Sequence, residues 1–121
     1  MQNKSQKEKE HVKAPFKQID KHLWNKTIGI TIARIKIPPK QLARRVGISF
    51  QTWESEDRPV DVALFEYEGE VVLGLSSYSD KFEGIEILLS TKLMDLEDFY
   101  LEKLIDFFDL NSQEILLRDR Y

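Results

Sequence analysis

The sequence predicts an α+β domain: an antiparallel sheet of about five strands, a C-terminal helix packed on one face, and a short N-terminal helix. Two observations carry this. Apolar residues alternate with period two in successive short runs between Thr27 and Leu89, and they switch to helical spacing from Asp95 onward. Strands followed by a helix with a broad apolar stripe are the pattern of an α+β domain. The chain has 121 residues, room for one domain. That domain is read as residues 15–121, behind a polar segment 1–14 that has no periodic apolar residues and reads as a disordered basic tail.

Each element has its own signal. Phe16, Ile19 and Leu23 recur at helical spacing with Trp24 beside them, after a proline suited to a first helical turn, which gives the N-terminal helix. Ile28, Ile30 and Ile32 share one parity and Ile35 and Ile37 the other, so a strand from Thr27 to Ile37 needs a bulge near Ala33-Arg34. Pro38-Pro39 ends its pairing. Long and apolar, it reads as an edge strand through which a second copy of the chain could pair. Val46, Ile48 and Phe50 alternate and give a strand over Val46–Thr52.

Val60 to Tyr67 is apolar on both parities, the mark of a central strand covered on both sides. Glu68-Gly69 turns it into the next strand, Val71–Leu75, and the residues from Asp80 to Gly84 turn that one into Ile85–Leu89. The helix Asp95–Leu110 has Thr91 or Asp95 as its cap and Glu97 and Asp98 in its first turn. Its stripe is Leu96, Tyr100, Leu104 and Phe107/Phe108, widened by Leu101 and Ile105, with Asn111 as the stop. Ile115 to Leu117 form a last short strand.

Charge is divided along the chain. Residues 1–45 hold twelve Lys/Arg against Glu8, Glu10 and Asp20, a balance of +9; the remaining 76 hold six basic and eighteen acidic side chains, a balance of −12. Such asymmetry speaks about partners rather than fold. There are no cysteines, so disulfides and thiolate metal sites are excluded, and a reducing, cytoplasmic setting is the expectation. No run of about 18 apolar residues is available to span a bilayer as a helix, and no apolar stretch follows the N-terminal lysines as a secretory signal would require.

Three constellations carry candidate functions. Glu54, Glu56, Asp57 and Asp61 cluster around one loop beside Trp53, and an aromatic among carboxylates is a good anchor for a basic cleft. The expectation drawn from this is a non-enzymatic protein-binding module of the immunity-protein or antitoxin kind. It would neutralise a basic partner through an acidic face with Trp53, Glu54, Glu56, Asp57 and Asp61 as contacts. The same carboxylates suggest calcium as an alternative ligand, without the regular loop spacing of an EF-hand.

The second constellation, Gln41 to Glu54, resembles the core of a DNA-binding helix-turn-helix over fourteen residues, with a glycine turn followed by a serine. That resemblance implies a regulator contacting nucleic acid through Lys40, Arg44 and Arg45. Its second helix would run at once into Glu54, Glu56 and Asp57 and stop at Pro59, placing carboxylates where phosphates belong, so a short turn plus the Val46–Thr52 strand is the preferred reading. The third is the lysine-rich N-terminus with Phe16 and Trp24, a pattern that can hold single-stranded nucleic acid, although aromatics at helical spacing belong more simply to a core. Catalysis has little support: the histidines are His11 and His22, and no phosphate-binding glycine loop or nucleophile elbow is present.

Overall fold

The computed structural model describes residues 16–20, 23, 28–54 and 58–117. These form a seven-stranded antiparallel sheet with two α-helices. The strands are β1 (Phe16–Ile19), β2 (Ile28–Ile35), β3 (Gln51–Glu54), β4 (Pro59–Tyr67), β5 (Glu70–Tyr78), β6 (Ile85–Ser90) and β7 (Ile115–Leu117). Helix α1 spans Pro39–Val46, and α2 spans Glu97–Phe107 directly after a 3-10 segment, Thr91–Leu96. The order across the sheet is β1-β4-β5-β6-β2-β7, and β3 also pairs with β4.

Strand β4 is the hub. Its Leu64–Tyr67 half pairs with β1 and its Pro59–Val62 half with β3, so two short strands lie end to end along one edge. The side-chain amide of Gln18 joins them, donating to the Ser49 carbonyl while its oxygen accepts from the Ser49 N–H. On the other edge β5 pairs along nearly the whole of β4 through the Glu68-Gly69 turn, where both residues have positive φ as a two-residue type I′ hairpin requires. Val62 to Phe65 are all buried, so β4 is covered on both faces as its unbroken apolar run implied.

Both helices pack on the face that carries Ala63, Phe65, Leu73, Leu75, Ile87 and Leu89. Leu42 of α1 and Tyr100 and Leu104 of α2, with Phe108 just beyond, complete that core. Phe65 is fully buried and meets Phe107 at 6.1 Å and Phe108 at 5.7 Å between ring centroids, both edge to face.

Several expectations are corrected. Phe16–Ile19 is a strand, not a helix: its spacing fits either, and the open edge of β4 supplies a ladder of backbone partners that an isolated short helix lacks. Leu23 lies in a single 3-10 turn, and Trp24 is outside the described residues. A short helix does occur, but at α1, because Pro39 stands at a helix start and Leu42 and Val46 fall one turn apart. The Val46–Thr52 strand is displaced to Gln51–Glu54, after a connection in which Ile48 and Phe50 are half-buried against the core. The irregularity expected near Ala33-Arg34 is present as a register shift between Thr31 and Ala33, and a second shift falls between Ile28 and Ile30.

Nor is β2 a free edge, since β7 returns in the same chain to pair with Ala33, Arg34 and Ile35. Neither Thr91 nor Asp95 caps α2; the 3-10 segment takes up that stretch, and Leu96 stands at the cap position without a side-chain bond. The segment 1–14 lies outside the described residues.

Truncating the buried stripe of α2 therefore unlocks the helix from β4. Leu104→Ala is expected to lower unfolding free energy by about 2–5 kcal/mol in urea denaturation. A loss under about 1 kcal/mol would mean that α2 does not depend on this contact.

Candidate protein-binding surface

The structure divides the carboxylates expected around Trp53. In the β3–β4 ladder Trp53 stands opposite Val60, whereas Thr52 and Glu54 stand opposite Asp61 and Pro59. Alternation along a strand then puts Trp53, half-buried, on the helix-free face and Glu54 and Asp61 on the other. Asp61 is engaged locally: its Oδ1 accepts from Thr52 Oγ1 at 3.2 Å and from Ser79 Oγ at 2.9 Å. Glu54 is exposed, and Glu56 and Asp57 lie outside the described residues. Trp53 thus lies on the face opposite Glu54 and Asp61.

Acids in the neighbouring turn are neutralised. The Arg58 guanidinium donates to both oxygens of Asp80, 2.9 Å at the closest, lies 3.8 Å from Glu83, and stacks 3.7 Å over the Tyr78 ring. That hydrogen bond holds the Asp80 carboxyl below its usual range and raises Arg58. Beside it, Arg34 pairs with Glu86 at 3.3 Å. Its stem lies so close to Gly84 that a Cβ there would fall 2.5 Å from the Arg34 Cδ. With a φ of +106°, Gly84 is the residue that permits this approach.

The basic candidates separate as well. Lys40 and Arg44 are exposed on α1. Arg45 instead reaches across to the end of α2, with bonds of 2.8 and 2.9 Å to the two oxygens of Glu114 and a third of 3.0 Å to the Asp109 carbonyl. The side chains of both partners are mostly shielded, with 24% and 17% of their surface accessible. The Arg45 hydrogen bonds hold the Glu114 carboxyl down at about 2, despite partial desolvation that opposes this. Arg45 thus serves the fold by fastening α1 to the segment that leads into β7. The second helix of a helix-turn-helix is absent, because β3 stands in its place.

The outward face of α2 is different. Asp98, Glu102 and Asp106 recur every four residues, Asp109 continues the row three residues on, and all four are exposed. None forms an ion pair with a basic side chain among the described residues. Phe99 and Leu96 stand beside them, 42% and 48% exposed, with the Lys103 ammonium 5.4 Å from the Phe99 ring. Two open grooves flank the last turns, one of about 470 Å³ along Glu102, Ile105 and Leu110 and one of about 370 Å³ between Phe107 and Arg45-Val46 of α1. Asp106 and Asp109 line both.

The acids themselves and their three- and four-residue spacing are present in the sequence. What the sequence could not show is that these carboxylates lack the partners that Asp61, Asp80 and Glu114 have. Among the described residues, no three acidic or histidine side chains converge as metal ligands, and no helix is long and apolar enough to cross a membrane. No protein-family model, curated protein or solved structure matches the chain.

The Arg45–Glu114 pair gives a pH signature. A carboxyl depressed on folding adds stability that is complete above its unfolded value, near 4.3, and lost as pH falls toward 2. Glu114→Gln is expected to lower the urea midpoint at pH 7, with its difference from wild type shrinking between pH 5 and 2. A difference constant over that range would show that Glu114 is not the titrating group.

Proposed function

We propose that this chain is a non-catalytic protein-binding module that engages a basic protein partner through the outward face of α2, in the manner of an immunity protein or antitoxin. One observation carries the reading. Asp106 and Asp109 occupy the C-terminal end of α2, where the helix dipole is negative and a carboxylate costs about 0.3–1 kcal/mol, and no basic residue stands in that last turn. Like charges at four-residue spacing, from Asp98 through Glu102 to Asp106, add a smaller penalty. A row kept against the local preference of its own helix points to a role outside the fold.

The apolar neighbours fit the same role. Phe99 and Leu96 offer a desolvating anchor beside the charge, the combination that concentrates binding energy at interfaces. Charge supplies the attraction that speeds encounter with a basic cleft, and a cleft built to draw phosphates would be drawn equally to this row. On this reading the contacts lie on α2 rather than around Trp53.

Affinity capture from the source organism with the full chain, followed by titration of the purified partner, tests this. The expected partner is basic, binds more weakly as salt rises, and loses at least tenfold in affinity to Glu102→Lys/Asp106→Lys with the circular dichroism unchanged. Affinity that survives this double reversal but falls with Trp53→Ala would return the site to the β3–β4 loop and overturn the assignment to α2.

A further inference from the structure

Strand β7 is lightly held. Its three residues are all half-buried, and in the sheet it neighbours β2 alone. The residue before it makes the remaining attachments. The Glu114 carbonyl accepts from the Lys36 N–H at 2.8 Å, and its carboxylate accepts from Arg45 and from the Asn111 N–H. The link back to α2 is short. Leu110 is buried in the core, so Asn111, Ser112 and Gln113, all exposed, are what separates that anchor from Glu114. The Gln113 N–H donates to Asn111 Oδ1 and closes this turn. Beneath β7 the situation is different: Ala33 and Ile35, opposite Leu117 and Ile115, have no exposed surface. Uncovering them would strand apolar side chains and ladder groups, so the edge must be refilled whenever β7 leaves it. The segment shown to fit that edge, in register and with a partner for Arg45, is β7 itself, and a second copy of the chain brings an identical one.

We infer that β7 is an exchangeable strand: two copies of the chain trade it, so that Ile115–Leu117 of one pairs with Ala33–Ile35 of the other and Glu114 meets Arg45 across the dimer. Every ladder and clasp of the monomer is rebuilt, and the Asn111–Gln113 turn is the part that changes, by opening. A hinge this short invites exchange, because it gives the strand little slack within its own chain. The dimer fraction follows protein concentration, and the rate of exchange follows local release of β7. The inference is separate from the partner reading, since it uses none of the carboxylates of α2.

Charge reversal in two full-length chains tests this. Arg45→Glu and Glu114→Arg each set like charges against one another, both in the monomer and in a dimer of that variant with itself. Mixed in equal amounts, a strand-exchanged heterodimer pairs the two substituted side chains with each other and restores Arg45–Glu114 at its other site. Light scattering at millimolar concentration is expected to show each variant as a monomer and the mixture with at least a tenfold larger dimer fraction. A mixture that stays monomeric would overturn the proposal, and so would dimers that form equally in either variant alone. Hydrogen exchange of the unsubstituted chain keeps the test open if a variant fails to fold. The Lys36 amide, freed together with β7, should exchange at least a hundredfold faster than the Leu75 amide in the middle of the sheet. Equal protection of the two would mean that β7 leaves only when the whole domain unfolds, and would sink the inference.

Discussion

The contact between Phe65 and the end of α2 governs the rest of the structure. Phe65 stands in the second half of the hub strand with no exposed surface, and Phe107 and Phe108 close over it edge to face. A helix pinned in this way has a single rotation open to it, with Tyr100 and Leu104 inward. The residues turned away then face solvent: Asp98, Phe99, Glu102, Lys103 and Asp106, with Asp109 just beyond the helix. The acidic face is thus a geometric consequence of how the core is packed. Its composition is not, because lysine would serve solubility as well and suit the C-terminal end of the helix better.

Among the described residues, positive charge near this face is limited to Lys103 on α2 itself and Arg45 at its end, and neither forms an ion pair with the four acids. The Arg45 guanidinium bonds both oxygens of Glu114 and the Asp109 carbonyl, so it closes the backbone at the end of α2. Arg58 and Arg34 are held by Asp80, Glu83 and Glu86 on other parts of the sheet. The remaining basic residues are spread along the chain, with Lys103 on α2 itself.

The parts of the fold legible in the sequence are those whose signals are local. The two-residue turn at Glu68-Gly69 and the apolar run of Val60–Tyr67 specify the β4–β5–β6 meander, and the broad stripe through Tyr100 and Leu104 specifies α2. The misread parts are decided by distant partners. Phe16–Ile19 becomes a strand because β4 offers an edge 45 or more residues away in the chain. Pro38-Pro39 carries two meanings at once, ending one ladder and opening α1, and only the first shows in the alternation of β2. The site followed the same logic. An acid's type and position can be read from a sequence, but whether Thr52, Ser79 or Arg58 already occupies it cannot.

The central claim is that the carboxylates of α2 contribute nothing to the fold, and urea denaturation of Glu102→Gln/Asp106→Asn at pH 7 and low salt tests it most directly. Removing two like charges, one at the negative end of the dipole, is predicted to leave the midpoint unchanged or to raise stability by up to about 1 kcal/mol. A loss of more than about 1 kcal/mol would contradict the account, because it would mean that these side chains hold the structure together.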